Sequence, residues 1–486
     1  MPGDRPLRFA IIGTGMSGIL AAIRLRDAGQ NDVVLYEKAE RLGGTWRENT
    51  YPGIACDVPS HLYSYSFAPN PQWSHHYSPG SEIRSYFEAV ARKHGVDRAI
   101  RFGQEVSRCE WDGAGWRLET NAGLRDRADV VIAATGVLHH PNVPELAGRD
   151  SFRGACFHSA RWDHSVPLDG RRIGVVGTGS TAVQIVSALV PRVAKLSLFQ
   201  RTAQWVLGQL NPAYGAEEQR EFARDPRALD ALRANMSKLF SESFASAVID
   251  ASSPQMKLIE EQCRLNLENG VRDPALRERL RPSYRAACKR LVISPDFYEA
   301  IQQPNAELVT SGIERIEPDG IRTKDGRLHP LDVLVLATGF RADRFMRPMG
   351  IVGLDGVRLD DVWAERPSAY LSISIPGFPN LFMLNGPNGP VGNFSLIEVA
   401  ELQMGYILQL VEQVDTGRCR ALGASAKASE SFEAARCEAA RGAIWSTGCK
   451  SWYLDDRGIP ASWPWTFDRF RKEMARPKLE AYEQLR

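Results

Sequence analysis

The sequence is poor in the features that announce a metal centre, a secreted scaffold or a membrane protein. Its eight cysteines are scattered, the closest two, Cys437 and Cys449, standing twelve positions apart, with no CxxC and no HExxH. A structural metal site or a disulfide framework is therefore not expected, and a reducing, cytoplasmic setting fits best. No apolar run approaches the ~20 residues that span a bilayer. The start, "MPGDRPLRFAIIG", lacks the basic-then-apolar layout of a secretory leader. Charge of one sign is missing too: 60 basic residues against 58 acidic leave a formal charge of +2, which gives no reason to expect a nucleic-acid partner. Low-complexity tracts are absent. What remains, in 486 residues with 43% hydrophobic and 24% charged side chains, is a globular chain long enough for several domains.

Two glycine-rich turns organise it. "LRFAII" (7–12) reads as a buried strand, followed by "GTGMSG" and the helical run "ILAAIRLRDAG". Gly13, Gly15 and Gly18 form GxGxxG between strand and helix, where a pyrophosphate can sit on a helix N-terminus. The next strand, "DVVLYE", ends in Glu37, nineteen residues after Gly18, placed to accept hydrogen bonds from ribose hydroxyls. The unit then repeats. "RRIGVVGTGSTAVQIVSAL" carries Gly177, Gly179 and Ala182 in GxGxxA form, with Ser180 and Thr181 opening its helix. Its following strand ends not in an acid but in Gln200, Arg201 and Thr202. A carboxylate would repel a 2′-phosphate and an arginine would pair with it, so the second site is expected to prefer NADPH, leaving FAD for the first. The plainer reading of Arg201 is an exposed arginine at a strand end. Two more apolar strands, within 127–136 and 331–340, each end in Ala-Thr-Gly, as suits places where the chain passes between nucleotide domains.

Three longer stretches resemble the class B flavoprotein monooxygenases, and among them the Baeyer–Villiger monooxygenases. "GGTWRENTYPGIACD" (43–57) fits the pattern Gly, Gly, Trp, aromatic-Pro-Gly and Asp; "FRGACFHSARWD" (152–163) fits the fingerprint FxGxxxHxxxW followed by Pro or Asp; "CKRLVISPDFYEAI" presents the Lys-Arg pair Lys289-Arg290. The resemblance implies an enzyme that reduces FAD with NADPH, captures dioxygen as a C4a-peroxyflavin and inserts oxygen beside a ketone carbonyl, giving an ester or lactone. It makes Arg290 the permanent cation beside the peroxide and Asp57 the group that orients it, since an arginine cannot surrender its proton to the peroxide. Gly44, Thr45, Trp46 and Tyr51 are implied cofactor contacts, the two aromatics packing near the flavin ring. Lys289 either joins Arg201 on the 2′-phosphate or is merely exposed. Trp452, in "SWY" (451–453), stands where the family closes a tryptophan over the nicotinamide nucleotide. His158 is expected to anchor a hinge and Trp162 to pack it, controlling domain position rather than the chemistry. By periodicity, though, "FRGACFHSARWD" follows neither a period of two nor of 3.6 and should be a linker without regular structure. His139-His140 departs from the small polar residue that the family commonly carries there, and a domain-joining loop is the better reading of that pair than a metal site. Cys56 reads as a small buried thiol.

The expected fold is therefore α/β, with two Rossmann-like dinucleotide-binding domains and a helical insertion. The FAD domain takes residues 1–145 and 345–486, the NADPH domain 146–205 and 288–344, and the insertion 206–287, where Asp-Pro pairs mark breaks between helices. The insertion either walls the substrate pocket or is a plain buttress. The expected substrate is a small hydrophobic ketone or sulfide with O2. A heteroatom oxygenase is the nearest alternative, weakened by Trp162-Asp163, where the N- and S-oxygenating relatives usually carry Tyr or Phe then Lys or Arg. A flavin-binding redox sensor is the remaining one.

Overall fold

The structure is a computed structural model, and residues 5–486 are described. The first four, part of the start read above and of the expected first domain segment, lie outside them. Each glycine-rich turn sits at the carboxyl end of the middle strand of a five-stranded parallel sheet. In the first sheet the order from one edge is Leu381–Met383, Val130–Ala133, Arg8–Ile12, Asp32–Tyr36 and Ile100–Arg101. In the second it is Ala306–Val309, Lys195–Phe199, Arg172–Val176, Val333–Leu336 and Ala155–His158. The central strands are apolar on both faces because both are covered: Phe9 and Ile11, like Ile173 and Val175, are fully buried on the helix side, whereas Ala10 packs with Trp116 and Leu118, and Leu334 with Ile316 and Ile321, of antiparallel strands on the other. The first sheet recruits its edge strand from beyond residue 345, Leu381 pairing with Val131, so that the chain returns to it after building the second.

Two segments corrected the sequence reading. Residues Ala155–His158, expected to be irregular, form the edge strand of the second sheet, pairing in parallel with Val333–Leu336. A four-residue edge strand, half-buried at its first three positions, has no alternation for a periodicity test to find. The cysteines also depart from expectation: Cys288 and Cys449, 161 positions apart, are joined by a disulfide. Scatter along the chain says nothing about proximity across it.

The two Ala-Thr-Gly ends lead into linkers that run side by side. Pro141 and Phe340 form an antiparallel bridge, Asn142 N–H donates to Gly339 O (2.8 Å), and Arg341 N–H donates to His140 O (2.9 Å). His139 serves this crossing, its Nε2 lying 3.0 Å from Phe345 O.

Between Val206–Leu207 and Val292–Ile293, which pair and close its neck, the insertion is helical. Both Asp-Pro pairs start helices: Asp225 caps Pro226–Phe240 and Asp273 caps Pro274–Leu280, each carboxylate accepting from two backbone N–H groups with proline at the first turn. The insertion does not stay on the second unit. Ser237 Oγ donates to Glu398 (2.8 Å) and Arg233 pairs with Glu401 (3.4 Å), both acids lying on the long helix Leu396–Asp415 that packs on the first nucleotide helix. No helix among the described residues is long and apolar enough to cross a membrane.

Candidate active site

The first turn is built by glycines that only glycine can supply. Gly13 has φ 103°, and a Cβ there would lie 2.5 Å from Ala134 O, at the end of the neighbouring strand. The second glycine loop closes on it, for a Cβ at Gly44 would come within 2.9 Å of Gly15 Cα. Thr45 follows as the first residue of the short helix Thr45–Glu48. Glu37, buried at the next strand's end, is held by Thr14 (Oγ1 donating at 2.6 Å), by Ala39 N–H (2.9 Å) and by Arg47 (2.8 Å). A turn without side chains beside a fixed carboxylate fits a dinucleotide's pyrophosphate and ribose.

In the second turn Gly177 has φ 124° and packs on Ala337 O, whereas a Cβ on Gly179 would meet nothing within 4 Å. That open backbone lies directly before Ser180 and Thr181, the first residues of the helix Ser180–Leu189, which leaves a phosphate room against unobstructed N–H groups. Thr202 O accepts from Thr178 Oγ1 (2.7 Å), and Arg201 is exposed beside it. Lys289 Nζ lies 4.7 Å above the Tyr284 ring. Its pKa is lowered by burial and then by the charge of Arg201 nearby. Two like charges that feel one another fit a shared dianion.

The Gly43–Asp57 stretch joins the two turns. Tyr51, expected against the flavin ring, is buried in the core of the second unit, its hydroxyl donating to Gln184 (2.9 Å). Gln184 in turn donates to Ala55 O (3.1 Å), and Gly53, at φ 81°, approaches so closely that a Cβ would stand 2.6 Å from Gln184 O. The Tyr-Pro-Gly part of the motif thus docks the first unit on the second nucleotide helix. Trp46 stays on the first unit's side, donating Nε1–H to Tyr63 (3.2 Å) with the rings edge to face.

Asp57 and Arg290, 233 positions apart, meet where these parts converge: Arg290 Nη2 donates to Asp57 Oδ2 at 2.5 Å. The arginine's pKa is raised, first by the charge of Asp57 and further by the Tyr453 hydroxyl that faces the same guanidinium. Burial pushes up the neighbouring Cys56 thiol and Tyr63 hydroxyl, so both stay neutral. Tyr453 is the site residue that sequence reasoning passed over, although it stands in the "SWY" stretch beside Trp452. Trp452 itself is exposed, its ring 4.1 Å from that of Tyr453. His158 lies against the paired linkers. Its Nε2 sits 3.0 Å from Gly339 O, and its Nδ1 accepts from Ala160 N–H (3.1 Å), which fixes the tautomer with the proton on Nε2. Trp162 packs edge to face on Phe157 in the second unit's core.

A family description for flavin-binding monooxygenase-like proteins matches residues 7–245. The chain is 39% identical over 485 residues to a Baeyer–Villiger monooxygenase of Streptomyces coelicolor, covering 99% of this chain and 93% of that one. It belongs to the Baeyer–Villiger monooxygenases. It is also 48% identical, over 98% of its length and 95% of the relative's, to an uncharacterized monooxygenase of Mycobacterium tuberculosis. Among solved structures, cyclohexanone monooxygenase from Rhodococcus sp. Phi1 bound to NADP+ superposes with a TM-score of 0.88 at 28% identity, covering 99% of this chain and all of that one. The agreement runs through both nucleotide units and the insertion, so the Baeyer–Villiger fold is present end to end.

Proposed function

We propose that this chain oxygenates small hydrophobic ketones to esters or lactones, using FAD, NADPH and O2. The observation that carries the reading is the Asp57–Arg290 pair at the convergence of both nucleotide units. When bound, NADPH supplies a hydride to FAD, and the reduced flavin activates dioxygen for attack on the carbonyl.

The remaining work belongs to the chain's own residues. The turn of Gly13, Gly15 and Gly18, with Gly44 and Thr45, offers backbone N–H groups to the FAD pyrophosphate, and Glu37 takes the ribose. Gly177, Gly179, Ser180 and Thr181 do the same for NADPH, with Arg201, Thr202 and Lys289 around its 2′-phosphate. Trp46 flanks the flavin through its contact with Tyr63, and Trp452 covers the nicotinamide. Tyr51 acts at one remove, by fixing the helix that holds the NADPH phosphates. Arg290 places a cation that stays protonated where a ketone oxygen gains negative charge, and donates a hydrogen bond to that oxyanion. Asp57 aims the guanidinium and balances its charge while no oxyanion is there. His158 and Trp162 set the position of the second unit against the first.

Arg290→Ala is the direct test. Flavin reduction by NADPH should survive while ester formation falls by about 10²- to 10³-fold, the usual loss when an oxyanion donor is removed. Ester formation at near wild-type rate would take the assigned role from Arg290. Sulfide oxygenation in the same variant should fall less, since that chemistry develops no carbonyl oxyanion.

A further inference from the structure

The disulfide sits at a telling place. Cys288 directly precedes Lys289 and Arg290, and Cys449 lies three residues before Trp452 and four before Tyr453. The bond therefore ties the segment that carries the site's two cations to the loop that carries its two C-terminal aromatics. Both cysteines are buried in one small core with Ala286, Leu291, Ile444, Trp445 and Tyr453, packed on Met256 and Ile259 of the insertion. The loop is anchored at its ends, by Ile444 and Trp445 on one side and by Tyr453, whose O accepts from Ala461 N–H (2.7 Å), on the other; between them its backbone bonds are local. Ser446 and Thr447 donate their N–H groups only to nearby Ala443 and Ile444, and Ser451 O accepts from nearby Leu454. Lys450 is exposed. Cys263, a free cysteine in the same core, has its thiol pushed up to about 12 by burial, so it offers no thiolate to reshuffle the bond.

We infer that Cys288 and Cys449 form a thiol–disulfide switch: closed, it clamps the Trp452–Tyr453 loop onto the Lys289–Arg290 segment and retains the nicotinamide nucleotide; open, it releases the loop. The inference rests on the proposed function for the placing of that nucleotide. Closure removes two electrons and two protons from the thiols, and a hydroperoxide is the oxidant. One thiol takes an oxygen from hydrogen peroxide, giving a sulfenic acid and water. The second thiol then displaces that oxygen as a second water, and the sulfur–sulfur bond forms. Opening proceeds by exchange with a dithiol, which leaves as its own disulfide. Because both sulfurs are buried, exchange requires the loop to lift. A bound nucleotide that keeps the loop down must then also protect the bond, by reciprocity of linkage.

The test uses the flavin-loaded full chain, purified without reductant. Peptide mapping after alkylation should recover Cys288 linked to Cys449. Treatment with a phosphine reductant should raise the Kd for NADP+ at least fivefold and speed trypsin cleavage after Lys450 at least fivefold. Hydrogen peroxide, after removal of the reductant, should restore the bond and both values, and NADP+ should slow reduction. Cys449→Ser should match the reduced protein and ignore the reductant, whereas Cys263→Ser should keep the response. The switch is overturned if the two cysteines stay unlinked after peroxide, or if reduction moves Kd and cleavage by less than twofold. A ketone panel separates the two readings: if neither redox state oxygenates a ketone while Kd and cleavage still respond, the proposed function fails and the switch stands.

Discussion

At the scale of single residues, the second nucleotide site turns on two cations that repel each other. Lys289 is partly buried under Tyr284 and feels Arg201, and both effects lower its pKa. A 2′-phosphate between them would reverse the second effect and offset the first. Charge-assisted hydrogen bonds contribute about 1.5–3 kcal/mol each, so Arg201→Ala should raise the Kd for NADPH roughly 10- to 100-fold while leaving that for NADH within about threefold. Equal effects on both nucleotides would remove the 2′-phosphate from this place. The pH dependence has a definite sign. Binding the dianion raises the pKa of Lys289, so NADPH affinity is complete below the free enzyme's Lys289 pKa and is lost as pH rises through it. That loss should begin below the ordinary lysine range, and titrating Kd between pH 7 and 10 should show it for NADPH and not for NADH.

At the scale of elements, the insertion's first helix, Ala216–Arg224, is held on the first unit by Gln219 donating to Trp73 O (3.0 Å) and by an aromatic contact. His61, buried in the loop after Asp57, meets Tyr214 and Phe222 edge to face, with ring centroids at 5.1 and 4.8 Å. Burial, and then the charge of His76, push its pKa down to about 4. In the unfolded chain the same histidine titrates near 6.5. The unfolded state therefore binds the proton first: this group's share of stability is whole above about pH 6.5 and drains away as pH falls toward 4. By pH 5 roughly 2 kcal/mol of it is lost. His61→Phe keeps a ring and abolishes the titration, so denaturant curves at pH 7.5 and 5 should differ by about that much less in the variant. An unchanged difference would place the acid sensitivity elsewhere.

The elements also show what a sequence discloses and what it withholds. Glycine turns are legible because their reason is local: Gly13 and Gly177 need positive φ, and the strand before and the helix after stand next to them in the chain. The Asp-Pro helix starts are legible for the same reason. Asp57 with Arg290 is a long-range pairing, and only the likeness of two motifs to a known family brought it into view. Nothing local pairs Cys288 with Cys449, bonds Tyr51 to Gln184 of the second nucleotide helix, or turns a third of "FRGACFHSARWD" into an edge strand. Those facts arise from packing between segments, to which periodicity and spacing are blind.

At the scale of the whole molecule, the two nucleotide units are joined by a pair of linkers at 139–142 and 338–341, and latched at a distance by the insertion's contacts from Arg233 and Ser237 to Glu401 and Glu398. If hydride delivery and oxygenation were to take turns at one bound flavin, the second unit would have to shift between steps, and the linkers are the natural pivot. His158 grips that pivot from the second unit's edge strand, through Gly339 O. Removing its ring forfeits one buried hydrogen bond, about 1 kcal/mol, and so raises the share of misaligned units by about fivefold. His158→Ala should therefore bind both nucleotides normally and consume NADPH, yet yield less ester per NADPH, the difference appearing as hydrogen peroxide. Reduction of the flavin needs the second unit only near the first, whereas productive oxygenation needs it held in place, so the loss should fall on coupling and not on the rate of reduction. A variant with full ester yield would show that the insertion's latch alone sets the alignment, and would move the control of this enzyme from its fingerprint stretch to its helices.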